Sequence, residues 1–195
     1  MAYSNWQAKF DQLFSELGDV WKLEILNNIV QVPGWLQTQF KGITATFDCS
    51  TTTCNNRWTS VNAGAIFYYR LVTGPNDERH GKVKLFLGRQ KCKKCNNVFE
   101  VAQWHDSKVT EAITKVLNKV KQKFYDSNPI SSSSTIENAY IPGHRSGPHE
   151  TSLCQLCVLG VCQYKQQNDI DSIASWLEDL DFSDYDDDYY TSDSG

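Results

Sequence analysis

Residues 149–162 read His149-Glu150-Thr151-Ser152-Leu153-Cys154-Gln155-Leu156-Cys157-Val158-Leu159-Gly160-Val161-Cys162. One imidazole and three thiols fall in this short stretch, spaced His-x4-Cys-x2-Cys-x4-Cys. A Cys-x-x-Cys turn lets two thiolates face one tetrahedral centre, and Zn²⁺ takes four N or S ligands at about 2.0–2.3 Å. The stretch therefore offers a Cys₃His donor set by itself. Outward from it, Cys92 and Cys95 form a second Cys-x-x-Cys, and Cys49 and Cys54 form a Cys-x4-Cys pair. Apparent strands separate these two pairs, and a sheet that sets them side by side makes a Cys₄ site. All seven cysteines are then used. Two structural Zn²⁺ are expected, with no open position for a catalytic water.

These residues admit other uses. The spacing also permits Cys92 and Cys95 to share a metal with Cys154 and Cys157, leaving His149, Cys162 and His144 or His105 to a different site. His80, in a polar loop, and His105, at a helix start, read as non-ligands. Disulfides would leave one of seven cysteines over, and the first residues do not read as a signal peptide. Lys91, Lys93 and Lys94 around Cys92 and Cys95 would favour a reactive thiolate, as in a redox pair. No adjacent βαβ pattern supports that use, and the same lysines offset the charge of a zinc-thiolate centre.

The rest of the chain supplies a scaffold. With 195 residues, 40% of them hydrophobic, it suits one domain with appendages, stapled by metal. No run approaches the roughly 18–20 apolar residues of a membrane span, so a soluble or peripherally attached protein is expected. Trp6, Phe10, Leu13, Phe14 and Leu17 recur at helical spacing over 5–17, with Ser4-x-x-Gln7 as a capping box and Gly18 as the stop. Trp21, Leu23 and Ile25 alternate with Lys22 and Glu24, as in a short strand or a turn into Pro33 and Gly34. Period two returns in Phe40, Ile43, Ala45 and Phe47 before the first knuckle and in Trp58, Val61, Ala63, Ala65 and Phe67 after it. Val83, Leu85 and Leu87 mark a third strand, with Lys82 and Lys84 on its solvent face. Asp106 or Ser107 caps a second amphipathic helix bearing Val109, Ile113, Val116, Leu117, Val120 and Phe124, and Lys115, Lys119, Lys121 and Lys123 make its outer surface basic.

Two segments read differently. Residues 126–148 hold Pro129, four consecutive serines, Pro142, Gly143 and Gly147, and form a flexible excursion that returns the chain to the zinc core. Residues 165–195 carry one Lys against ten Asp or Glu, net −9; the whole chain is −4, so residues 1–164 carry +5. Ile170, Ile173, Trp176, Leu177 and Leu180 give this acidic tail an apolar stripe, as in a disordered segment that folds on a partner. The expected domains are thus a zinc-binding body, 1–164, and the tail, 165–195. The expected fold class is α+β: a small antiparallel sheet with zinc knuckles, flanked by two amphipathic helices.

The residues resemble a known family, the receptor-transporting proteins with their three-CxxC zinc finger. The resemblance rests on Trp6, Phe10 and Leu13; Trp21; Gly34-Trp35; Phe47-Asp48-Cys49; and Trp58-Thr59-Ser60. It continues through Gly88-Arg89-Gln90-Lys91-Cys92-Lys93-Lys94-Cys95, Gly147-Pro148-His149, and Cys154-x2-Cys157-Val158-Leu159-Gly160-x-Cys162, covering most of 5–162. The chain departs from the pattern in its Cys-x4-Cys first pair, where the family usually has Cys-x2-Cys, and in lacking the hydrophobic C-terminal anchor of several members. The resemblance implies a non-enzymatic accessory protein that binds seven-transmembrane receptors, such as chemosensory receptors, and promotes their folding, export and surface display. It implies a cytoplasmic location with peripheral contact to endoplasmic reticulum or plasma membrane. Related members also suggest an alternative, an interferon-linked antiviral effector that binds RNA through a basic zinc-knuckle surface. The residues themselves support binding in general: a basic body can hold an RNA backbone, acidic receptor loops or anionic lipid headgroups. No Gly-rich phosphate loop, nucleophile motif or open carboxylate–histidine metal site points to catalysis or to a small-molecule substrate.

Overall fold

The computed structural model describes residues 3–29, 33–126 and 149–162. The acidic tail, His144 and nearly all of the expected 126–148 excursion lie outside the described residues. In chain order the elements are α1 (Ser4–Phe14), β1 (Val20–Leu26), β2 (Leu36–Asp48), β3 (Arg57–Thr73), β4 (Arg79–Leu87), β5 (Gln90–Lys91), β6 (Phe99–Glu100), β7 (Gln103–Trp104), α2 (Asp106–Phe124) and α3 (Gln155–Val158), which follows a 3₁₀ turn at Thr151–Leu153. The fold class is α+β, as expected. Five strands form one sheet in the order β1-β4-β3-β2-β7, and β5 and β6 form a small second one.

Side-chain alternation explains the two faces of the large sheet, because successive strand residues point to opposite sides. Ala63, Ala65, Phe67 and Tyr69 of β3, with Val83, Leu85 and Leu87 of β4, are buried in one cluster. Trp6, Phe10 and Phe14 of α1 and Val109, Ile113, Val116, Leu117 and Val120 of α2 complete that cluster, so both helices cover the same face. Trp6 meets Trp104 edge-on at 5.5 Å. The intervening residues Ile66, Tyr68 and Phe86 look the other way, into a cluster with Cys154, Leu156, Cys157 and Cys162.

The expected antiparallel sheet is in fact mixed. β2, β3 and β4 pair antiparallel, with Phe40 opposite Ala65 and Phe67 opposite Leu85. β1 instead joins β4 in parallel, placing Trp21 opposite Gly81. Close packing selects that register: a Cβ added at Gly81 would lie 1.9 Å from the Trp21 indole, so only glycine admits the ring there. Trp21 Nε1 donates to Tyr125 Oη at 2.9 Å, and that hydroxyl donates to Asp19 Oδ2 at 2.5 Å, tying the end of α2 to the start of β1. The broken alternation between Phe40 and Ala45 is a register irregularity against β3, which restores the inward parity of Ala45 and Phe47.

Both helix starts depart from expectation. The α1 N-cap is Tyr3, without a side-chain cap bond, because the helix begins at Ser4 and places that serine inside the first turn. Gln7 Nε2 donates to Asp11 Oδ1 at 2.8 Å instead of closing a capping box. The helix ends at Phe14, ahead of Gly18, and Leu17 N–H closes a further turn on Phe14 O at 3.1 Å. The α2 N-cap is His105, one residue before the expected Asp106. Asp106 then lies in the first turn, where its charge favours the helix dipole.

Candidate metal centres

The first knuckle is a turn between β2 and β3. Cys49 N–H donates to Asn56 O at 2.9 Å and Cys54 N–H to Thr51 O at 2.9 Å, which folds the Cys-x4-Cys segment so that both thiols face inward. The second knuckle lies between β5 and β6 and closes with Asn96 N–H on Cys92 O at 2.8 Å. Each ends in Cys-Asn-Asn, Cys54-Asn55-Asn56 and Cys95-Asn96-Asn97. Asn55 and Asn96 both take left-handed backbone, φ 45° and 50°, a conformation asparagine tolerates better than other side chains. The next asparagines cross between knuckles. Asn56 Nδ2 donates to Cys92 Sγ at 3.3 Å, and Asn97 Nδ2 donates to Thr51 Oγ1 at 3.3 Å. Glu100, itself buried, accepts from Ser50 N–H and Oγ at 2.7 and 2.9 Å and anchors the first knuckle to β6.

Cys49, Cys54, Cys92 and Cys95 thus converge, their sulfurs all within 4.8 Å of one another. Cys49 and Cys95 Sγ are 3.4 Å apart, Cys54 and Cys92 Sγ 3.7 Å. A tetrahedron with Zn–S of about 2.3 Å has S···S edges of about 3.8 Å, so the set fits zinc. Proton affinity is divided within it. Burial raises the Cys49 thiol and, with a hydrogen bond to Cys92, pushes Cys54 up to about 12. Burial also pushes Cys92 up, but the backbone N–H groups of Cys95 and Lys94 and the Asn56 amide outweigh it and bring Cys92 down to about 6. The Asn97 backbone N–H lowers Cys95. A divalent ion would favour the thiolate at all four.

The second set sits on the face of the sheet opposite α1 and α2. Gln155 N–H donates to Arg89 O at 3.0 Å, and Arg89 N–H donates to Gln155 Oε1 at 3.1 Å, while Cys154 bridges to Gln90. Leu156 seats this segment: a Cβ at Gly64 would come 2.6 Å from its Cδ1, and one at Gly88 2.9 Å from its Cγ. α3 closes with Val161 N–H on Leu156 O and Gly160 N–H on Cys157 O, at 2.9 and 3.0 Å, with Gly160 at φ 73°. This Schellman arrangement turns the chain back and delivers Cys162 to the cluster. His149 Nε2 lies 3.0 Å from Cys157 Sγ and 3.6 Å from Cys162 Sγ, and all four donor atoms fall within 4.8 Å. A mixed N/S tetrahedron has edges of about 3.6 Å, so this set also suits zinc. A hydrogen bond with Cys162, then burial, raises the Cys154 thiol far above the usual range, and a bound cation would reverse that preference.

All eight sequence-derived donors therefore assemble, in the 49/54/92/95 and 149/154/157/162 groupings, rather than in the alternative that joined Cys92 and Cys95 to Cys154 and Cys157. His80 pairs with Glu78 and His105 caps α2, both apart from the clusters. Sequence reasoning passed over Asn56, Asn97, Glu100, Gly64 and Gly88. The repeated Cys-Asn-Asn was the available signal for the first two; the others depend on contacts that no local pattern announces.

Strand-borne knuckles that bring two cysteine pairs to one centre define a zinc ribbon. The zinc-binding domain of the three-CxxC zinc-ribbon family matches residues 42–160, and the chain belongs to that family. It is similar to receptor-transporting protein 3 of Mus musculus, 26% identical over 85% of this chain, and to receptor-transporting protein 4 of Homo sapiens, 23% identical over 80% of this chain. The chain spans 34% and 63% of the lengths of those two relatives. No solved structure matches it.

Proposed function

We propose that the chain is a non-enzymatic accessory protein in which two Zn²⁺, one in each set, brace a body that engages seven-transmembrane receptors and promotes their export. The observation that carries this reading is the completeness of both donor sets: each has four protein ligands, which suits structural zinc. The receptor partner follows from the similarity to two receptor-transporting proteins. A braced sheet with a basic body can shield the cytosolic loops of an incompletely packed receptor, without chemistry on a substrate. Among the described residues no helix is long and apolar enough to cross a membrane. This reading places the protein in the cytoplasm, in peripheral contact with the endoplasmic reticulum or plasma membrane.

Elemental analysis of purified protein should give two zinc ions per chain. Coexpression with a poorly exported chemosensory receptor should co-precipitate that receptor and raise its surface level, and Cys95→Ser should abolish both effects. Unchanged surface receptor, together with RNA binding that weakens steeply with salt, would replace this reading with the RNA-directed antiviral one.

A further inference from the structure

Residues paired in register share a face of a sheet, and the face opposite α1 and α2 carries an unbalanced row. Lys82 on β4 stands opposite Lys22 on β1 and opposite Arg70 on β3. The neighbouring row, Glu24–Lys84–Tyr68, contains its own acid, and Lys84 pairs with Glu24 at 3.4 Å. Among the described residues no carboxylate pairs with Lys22, Lys82 or Arg70. Like charges placed directly opposite destabilise a sheet, so this row is built at a cost that an anion would offset. Arg70 adds a second observation: its Nε is buried with no hydrogen-bond partner among the described residues, while its guanidinium stacks 4.6 Å from the Trp35 ring centre. A depression of about 300 Å³ opens at the row, where Val20 and Val72 supply apolar lining beside Lys22, Lys82 and His80. Its occupant should be both acidic and apolar.

The geometry points to an intramolecular occupant: the acidic segment 165–195 docks over Lys22, Lys82 and Arg70, with its apolar side chains on Val20 and Val72. That segment carries net −9 and sets Ile173, Trp176 and Leu177 among its carboxylates. The described chain ends at Cys162, buried with Tyr68 and Phe86 on this same face. From Phe86 to Lys82 is four strand residues, about 13 Å at ~3.3 Å each. The seven residues from Cys162 to Asp169 reach about 23 Å when extended. The lysines of α2 lie across the sheet, and Lys115 and Lys121 already pair with Glu111 and Glu16. The docking depends on neither the zinc count nor the receptor reading.

Carbodiimide cross-linking of the dilute full chain, read by peptide mass spectrometry on the monomer, tests this. Amide links should join Lys22 or Lys82 to acids within 169–193 and fall about tenfold in 1 M NaCl, since exposed ion pairs are screened. Arg70→Gln should lower their yield while α2 lysine adducts stay constant. A full chain with Asp169, Asp171, Glu178, Asp179 and Asp181 changed to amides leaves the sheet untouched, so misfolding cannot mimic the result; it should show several-fold faster acetylation of Lys22 and Lys82. Links spread evenly onto Lys115, Lys119 and Lys123, links found only between chains, or unchanged acetylation would overturn the docking. So would protection of Lys22 and Lys82 by phosphatidylserine vesicles or polyuridylate but not by the segment itself.

Discussion

Asn96 stands directly after the second cysteine of its knuckle at φ 50°, where a β-branched side chain meets the backbone and glycine does not. Asn96→Gly should therefore keep the zinc affinity of the Cys₄ set, whereas Asn96→Val should weaken it, at a strain of about 1–2 kcal/mol. Competition with a chromophoric chelator reads the difference. Leu156 offers a second test at this scale, because it fills the space left by Gly64 and Gly88. Leu156→Ala should lower unfolding free energy by about 2–5 kcal/mol in denaturant titration, and Gly88→Val should do similar damage by excluding the side chain. The eight candidate donors were legible in the sequence because thiol and imidazole chemistry is local and the spacing counts itself out. Leu156 read only as an apolar residue between two cysteines; its partners lie 92 and 68 positions upstream.

Elements were legible wherever burial followed one period. α2 shows its stripe from Val109 to Val120, and β4 alternates Val83, Leu85 and Leu87, so both emerge from the pattern. Partnership between elements was less so. β1 alternates as a strand, but nothing in Trp21-Lys22-Leu23-Glu24-Ile25 specifies a parallel partner far along the chain. The information lies in one complementary pair, a large ring and a missing Cβ, each unremarkable alone. Gly81→Ala should consequently detach or distort the edge strand, lowering thermal stability by roughly 1–3 kcal/mol, since the added methyl must displace an indole that is 8% exposed. Hydrogen exchange should localise the change to β1, and protection of β2 and β3 should stay unchanged.

The two candidate metal sets share the segment 89–95, which makes them candidates for coupling. The Cys₄ set joins the β2–β3 turn to the β5–β6 turn, and the Cys₃His set docks on Arg89 and on Gln90 of β5, just ahead of the Cys92 knuckle. Ordering 89–95 for one ion therefore orders part of the platform for the other, and such linkage is reciprocal. Chelation of the zinc-loaded protein should remove both ions in a single cooperative step accompanied by unfolding, because metal binding to deprotonated ligands is coupled to folding. Acid should act with the same sign. The zinc-loaded native state holds its thiolates without protons, whereas the released, unfolded chain takes protons up, so stability falls as pH falls. Cobalt substitution separates the sites spectroscopically, since Cys₄ and Cys₃His sets give different visible bands. Coincident loss of both bands along a chelator titration supports coupling through 89–95. Loss of the Cys₃His band alone, with the sheet's circular dichroism intact, would show the two centres to be independent staples.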